Sequence, residues 1–497
     1  MTETGELRWR RTTLIGAAAG LVAVAIGVLA AQMPVAWLLL GISTVLSLAV
    51  LADAAPRRGY FEPMTVVAAF VLLAFCVRPL FVFLHSRDLL SWVNPQGRPA
   101  VQLEHIEQQT TALFASTLMH GHLSTTLTRA IAASTLFIAA TIVGYSLPAG
   151  RRLAKRWEKV ASGLKRPNVK FAIVASFVLG LIGQVAAVGR AGGVSSAANN
   201  QLKQTALGGS GSLGILVLAS FTVAGIVIWA AWDWPKTKGA AALLALAVME
   251  TCVFDIVVGS RTRVVATLLM VVVVAHMRWR PLSGRIVAMS LIIGILLSTA
   301  LLGVRQATYD RPFSKALSSA PQYIEDPRGL INNIAMWDQL FFATSAVGST
   351  LHFKYGGWFV AALHSYVPRF IDPHKPNPSD VVIRQQIFHN EVFAGLPPTL
   401  PGDLYYDFGF FGIAFGSILL GFLCRGMGGL LSGAGEGGAA YRAALYSILL
   451  FILYEFVSTT YSDAIGFAIT VLVPFLAAVH IIGRFHRGGA PAADGAS

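Results

Sequence analysis

Charges are rare in this sequence, and the few inside apolar runs are gathered. Arg78, Asp255, Arg261, Arg263, Arg305, Glu455 and Asp463 lie in or at the ends of long apolar runs, and Glu250 lies near the middle of one. A charge in hydrocarbon is costly, so such a residue is read first as functional. At ~1.5 Å of rise per residue, all but Glu250 fall near one end of their helices. The opposite halves of the runs are nearly free of charge. Arginine suits an anion with several oxygens, because its planar fork makes two parallel hydrogen bonds where lysine offers a point charge. The grouping suits a site fed from one side of a membrane, acting on something anionic that is anchored there. Two plainer readings use the same residues. Arg78 could pair with Glu250 or Asp255, and Glu455 with a nearby arginine, as structural ion pairs. Arg261, Arg263 and Arg305 could also snorkel to the interface.

The elements that must position these groups are membrane helices. The chain has 497 residues, 55% of them hydrophobic and 12% charged, about half the charge of a soluble domain. Apolar windows of roughly 18 residues or more recur, the length that crosses a ~30 Å hydrocarbon core. They are continuous rather than alternating, which selects helices over a barrel. Twelve spans are expected, near 12–31, 35–52, 64–84, 130–148, 170–188, 213–232, 240–258, 263–277, 286–304, 409–424, 443–458 and 463–483. The first reads as an uncleaved helix rather than a signal peptide, because its apolar run is long and a second follows at once. With both termini cytoplasmic, the short cytoplasmic segments hold 22 Lys and Arg, including the run from Arg151 to Lys170, against 7 in the short outer loops. That asymmetry fixes the expected orientation in a cytoplasmic (inner) membrane and accounts for the net charge of +14 without nucleic acid. Cys76, Cys252 and Cys424 lie far apart in apolar stretches and read as small buried hydrophobes.

Four regions are expected: an N-terminal bundle of about nine helices over 1–304, a large extracytoplasmic loop over 305–408, three C-terminal helices over 409–487, and a disordered tail over 488–497. A second polar outer loop covers 85–129. The loop 305–408 carries 17 aromatic residues, too many for disorder. Within it, 336–364 is apolar but broken by Gly348, Gly356 and Gly357, which suits amphipathic or re-entrant helices lying against the membrane surface. Seven prolines between 368 and 402 exclude a single helix there.

Three segments carry a resemblance. They are Val367-Pro368-Arg369-Phe370 with Lys375-Pro376, the run from Pro401-Gly402-Asp403 through Asp407-Phe408-Gly409 to Gly412, and the turn Gly259-Ser260-Arg261. Together with a dozen spans and one large outer loop in the second half, they resemble the oligosaccharide repeat-unit polymerases, the Wzy-type or O-antigen polymerase family. Where that family often has Glu and Asn, this chain has Asp403 and Asp407.

The resemblance implies an all-α, C-type glycosyltransferase-like fold. It implies an enzyme that moves a glycan from undecaprenyl diphosphate onto a lipid-linked repeat unit. A lipid diphosphate leaving group asks for preorganised cations, and the resemblance points to Arg261, Arg305 and Arg369, then to Arg263 and Lys375. An acceptor hydroxyl asks for a general base within hydrogen-bond reach. Asp403 is the first choice, with His389 and Glu391 as alternatives. Asp403 could equally be an acid facing a helix dipole, and His389 a solvated loop residue. Asp338 suits structure or sugar binding, and Tyr405, with Tyr406, Trp358 and Tyr366, suits sugar stacking or interface anchoring. The implied partners are an undecaprenyl-diphosphate-linked oligosaccharide, membrane lipid, and possible chain-length regulator and flippase proteins. No cofactor or metal is implied. An O-antigen-type ligase, a lipid-linked oligosaccharide flippase and a non-enzymatic export scaffold are the rival classes.

Overall fold

The computed structural model describes residues 34–80, 123–162, 168–198, 212–258, 260–279, 281–307, 336–347, 351–367, 371–372, 379, 382, 398–432 and 438–482. These are almost entirely helical. The expected first span at 12–31, most of the loop 85–129, and the tail 488–497 lie outside the described residues.

The helices follow the apolar runs. In order they are α1 (Pro34–Arg58), α2 (Pro63–Phe70, continuing to Leu80), α3 (Leu123–Ser146), α4 (Pro148–Ser162), α5 (Val169–Arg190), α6 (Ser212–Ala219), α7 (Phe221–Trp232), α8 (Lys238–Val257), α9 (Arg261–Arg278) and α10 (Gly284–Ala307). The second half adds α11 (Met336–Ala346), α12 (Gly357–His364), α13 (Thr399–Met427), α14 (Ala439–Ser458) and α15 (Tyr461–Ala477, continuing to Ile482). Among the described residues, ten helices are long and apolar enough to cross a membrane, with α6 and α7 forming one of them. The protein is therefore an all-α polytopic membrane protein. The expected span at 263–277 is present as α9, which carries Arg261, Arg263 and Arg278 near its ends and stands outside those ten.

Local sequence explains several helix starts. Glu62 caps α2, accepting from the Met64 and Thr65 amides at 3.0 and 3.2 Å, and Pro63 occupies the first turn, where its missing N–H costs nothing. Thr237 and Thr460 cap α8 and α15 through the Ala240 and Asp463 amides. On α8, Leu243, Leu246, Met249 and Val253 are exposed, while Thr251, Phe254 and Asp255 on the other face are buried. An apolar face left open in this way is what lipid covers.

The centre of the bundle is α13 against α3. A Cβ on Gly421 would lie 2.0 Å from the Thr141 carbonyl oxygen, and one on Gly144 would lie 1.9 Å from that of Ile418. With no side chain at either position the two backbones touch, as membrane helices do at small residues. At one end of this pair, cationic α4 packs Gly150 and Leu153 on Arg425 and Gly426, and exposes Arg151, Arg152, Lys155, Arg156 and Lys159. At that same end Tyr145 donates to Glu62 and accepts from Arg425 Nη1 at 2.9 Å, which ties α2, α3 and α13 together.

Two features differ from the sequence reading. First, α13 is two arms, because Phe408 (φ −139°) and Gly409 (φ +63°) are not helical. Only glycine adopts the Gly409 angle without strain. The short arm, 399–407, folds back so closely that Leu404 presses on the Gly412 and Gly416 positions. The long arm begins where the span 409–424 was expected. Second, α11 does not lie on the membrane surface. Trp337, Leu340, Phe341 and Ala343 have no exposed area, so the helix is enclosed between α3, α13 and α2. Its aromatic residues are buried, and only Met336, Gln339 and Ser345 of its described side chains keep partial exposure. The neighbouring α12 does keep one open face, with Trp358, Ala361 and Ala362 buried and Phe359, Val360 and Leu363 exposed.

The close approach of α3 and α13 makes a test. Gly421→Leu should lower thermal stability in detergent by about 3 kcal/mol or more, because backbone rather than a movable side chain would be struck. Gly214→Ala on α6, where no atom lies within 4 Å of the added carbon, should leave the melting curve unchanged.

Candidate functional site

The short arm of α13 carries Asp403 and Asp407 four residues apart, hence on one helical face. Both are fully enclosed, and each holds the start of a different helix. Asp403 Oδ1 accepts from Ser379 Oγ at 2.9 Å, and Oδ2 accepts from the Tyr461 amide at 2.8 Å, the first residue of α15. Asp407 Oδ1 accepts from the Trp358 amide at 3.1 Å in the first turn of α12. A carboxylate at a helix N-terminus accepts orphan N–H groups and lies at the positive end of the dipole. Asp403 thus faces a helix N-terminus, as one reading of the sequence allowed, but that of α15 rather than its own helix.

The break at Phe408 is stitched to the incoming loop. Lys354 N donates to the Tyr406 carbonyl at 3.2 Å, and Tyr355 N to that of Asp407 at 2.9 Å. Trp358 packs edge-on against Tyr406, with the Lys354 ammonium 5.7 Å above the Trp358 ring. Tyr366 donates to the Ser462 carbonyl, and Phe359 meets Tyr461 edge-on, so the segment 354–366 is fastened to α13 and α15 together. Tyr405 is buried against Phe353 and Phe410, with exposed Arg129 within electrostatic reach.

A second charged group lies deeper at the same end of the bundle. Arg263, in the first turn of α9, donates to Thr470 Oγ1 at 3.4 Å and interacts electrostatically with Asp255 of α8 and Glu455 of α14. Asp463 lies within reach of Glu455. Asp255 Oδ2 and Glu455 Oε1 are buried without a hydrogen-bond partner. A small void of about 10 Å³ lies between Asp255, Arg263, Thr251 and Thr267, the scale of a single water. Arg263, half-exposed, thus has Asp255 and Glu455 within its electrostatic reach.

The Arg78 partner is neither Glu250 nor Asp255. Arg78 Nη2 lies 2.6 Å from Asp338 Oδ2, and Nε lies 3.0 Å from Oδ1, a two-pronged pair between α2 and α11. Asp338 is 6% exposed, and both of its oxygens are engaged in this pair. Of the remaining sequence candidates, Arg261 opens α9 and Arg305 lies in the last turn of α10, and their side chains are outside the described residues. Arg369, Lys375, His389 and Glu391 lie wholly outside them. Among the described residues, His, Cys, Asp and Glu nowhere gather in threes that could hold a metal ion.

Beside this end opens a lateral groove of about 1470 Å³ between the long arm of α13 and α14. Asp407, Lys354 and Tyr461 line its mouth, whereas Asp403 does not reach it. The sequence reading singled out Asp403 and missed Lys354 and the place of Asp407 in the groove wall. The signal it held was the four-residue spacing, which puts the two acids on one face without saying which one borders the groove.

Fold and site define a polytopic helical membrane protein with Asp403, Asp407, Asp255 and Glu455 buried toward one end, next to an apolar groove. Residues 108–463, more than two thirds of the chain, match the family described as "Putative O-antigen polymerase", and the chain belongs to that family. Its general role is therefore that of a polysaccharide polymerase, a glycosyltransferase-like activity. No curated protein and no solved structure matches the chain.

Two stability tests follow. Arg78→Ala should cost about 3–5 kcal/mol, because it leaves a buried carboxylate unpaired, and adding Asp338→Ala should recover part of that loss in thermal unfolding. Asp403→Ala should cost about 1–3 kcal/mol by orphaning the Tyr461 amide, with Asp403→Asn milder because it retains an acceptor oxygen.

Proposed function

We propose that this protein joins lipid-diphosphate-linked oligosaccharide repeat units at the outer face of the cytoplasmic membrane. Asp407 acts as general base, and Asp403 positions the helix that walls the site. In the reaction, a hydroxyl oxygen of the acceptor sugar attacks the anomeric carbon of the donor glycan. The bond from that carbon to the diphosphate breaks, the lipid diphosphate leaves with the bonding pair, and the hydroxyl proton passes to the carboxylate. Arg261, Arg305, Arg369 and Lys375 are the cations assigned to the leaving diphosphate, with Lys354 added at the groove mouth. Family membership supports polymerisation as such. The observation that carries the finer reading is that Asp407, a buried carboxylate, lies in the wall at one end of an open apolar groove, beside which a membrane-anchored substrate would present its polar head.

The outer-face assignment is supported by charge. The cationic helix α4 packs at the Arg425 end of α13, opposite Asp403 and Asp407. Lys- and Arg-rich segments remain cytoplasmic, so the carboxylate end would face outward.

The test is polymer formation in cells that carry single variants. Asp407→Asn should reduce chain extension by about 10² or more while the protein stays folded and present. Single repeat units should accumulate on lipid, open to a glycosidase added outside. Unchanged polymer length, or single units held on the inner face, would refute the assignment.

A further inference from the structure

The geometry points to the groove between α13 and α14 as the seat of the donor's isoprenoid chain, a single long apolar tail lying the depth of the bilayer. This rests on the reading above, in which the donor is a lipid diphosphate. The long arm of α13 has two unlike faces. The one toward α3 is glycine and backbone contact. The one toward the groove is a ladder at four-residue spacing, Phe411, Phe415, Leu419 and Leu423. Phe411 is 87% and Phe415 74% exposed. The facing wall is Leu449, Ile452 and Phe456 of α14.

Length selects the occupant. The groove follows α13 from Asp407 to Met427 and reaches Trp157 on α4. The long arm from Phe410 to Met427, at ~1.5 Å per residue, covers about 26 Å, most of the ~30 Å hydrocarbon thickness. A phospholipid acyl chain belongs to one leaflet and would fill about half of it. A continuous chain roughly twice that length fills the groove, and a polyprenyl tail is such a chain. Polarity selects its direction. Lys354, Asp407 and Tyr461 are at one mouth. A chain seated with its diphosphate beside Lys354 would bring its first glycosidic carbon toward Asp407. The other mouth is Trp157, with no described acid or base lining it.

The test is binding of isoprenoid diphosphates of increasing chain length to the purified full-length protein in nanodiscs, without turnover. Wild type should bind a C55 diphosphate at least about tenfold more tightly than a C10 diphosphate. Leu419→Trp and Phe415→Ala, which fill the groove or strip its wall, should erase that preference. Leu246→Trp, on the open face of α8, should keep it. A diazirine at the far end of the C55 chain should label α13, α14 or α4. Undiminished preference in both groove variants, labelling confined to α8 or α10, or crosslinks showing Phe411 and Phe415 against a second copy would overturn the inference. The two readings fail separately. If Asp407→Asn stops polymer growth while the groove variants keep chain-length preference, the tail lies elsewhere. If chain-length selectivity maps to the groove but Asp407→Asn polymerises normally, the base assignment falls and the groove stands.

Discussion

Hydrocarbon does not tolerate an open backbone, and the fold is organised around the one place where its central span breaks. At Phe408 and Gly409 the helix stops, and the carbonyls of Tyr406 and Asp407 turn to the amides of Lys354 and Tyr355. The Asp407 side chain completes the join by holding the Trp358 amide. Without these bonds the kink would expose unsatisfied polar groups at the membrane edge. With them, a loop distant in sequence is pinned over the end of the bundle, the short arm folds back on Gly412 and Gly416, and two carboxylates are carried into the interior.

Those carboxylates illustrate how a membrane protein keeps acids where charge is costly. Asp403 and Asp407 each face the amide-rich start of another helix, so stabilising the acid and docking the helix are one interaction. The deeper group follows a different logic. There Arg263 serves Asp255 and Glu455 at once, and neither acid finds full hydrogen bonding. The Arg78–Asp338 pair closes the far side of the same end and locks the enclosed helix α11 onto α2.

The two faces of α13 divide the work of the molecule. Where glycine meets backbone on α3, the contact is rigid, and it fixes α13 as a reference frame. Where phenylalanines and leucines face α14, the helices stay apart and a groove opens along the bilayer depth. Lys354 and Asp407 at one end and an apolar wall along the rest have the polarity of an amphiphile.

The sequence alone determined ten of the twelve expected apolar spans found among the described residues, that the protein is all-helical, and where the long arm of α13 begins. These are local properties: bilayer thickness sets the length of an apolar run, and Gly409 marks a break by its own backbone freedom. It also held the Asp403 and Asp407 spacing and, through the resemblance, the family. Only tertiary structure decided that Arg78 pairs with Asp338, 260 positions away, that α11 is enclosed by the bundle, that Arg263 comes near Asp255 and Glu455, and that Asp407 rather than Asp403 borders the groove. Each of these depends on which helix faces which. In a membrane protein nearly every helix is apolar all round, so hydropathy reveals that a residue is in a helix but carries little record of the neighbour it meets.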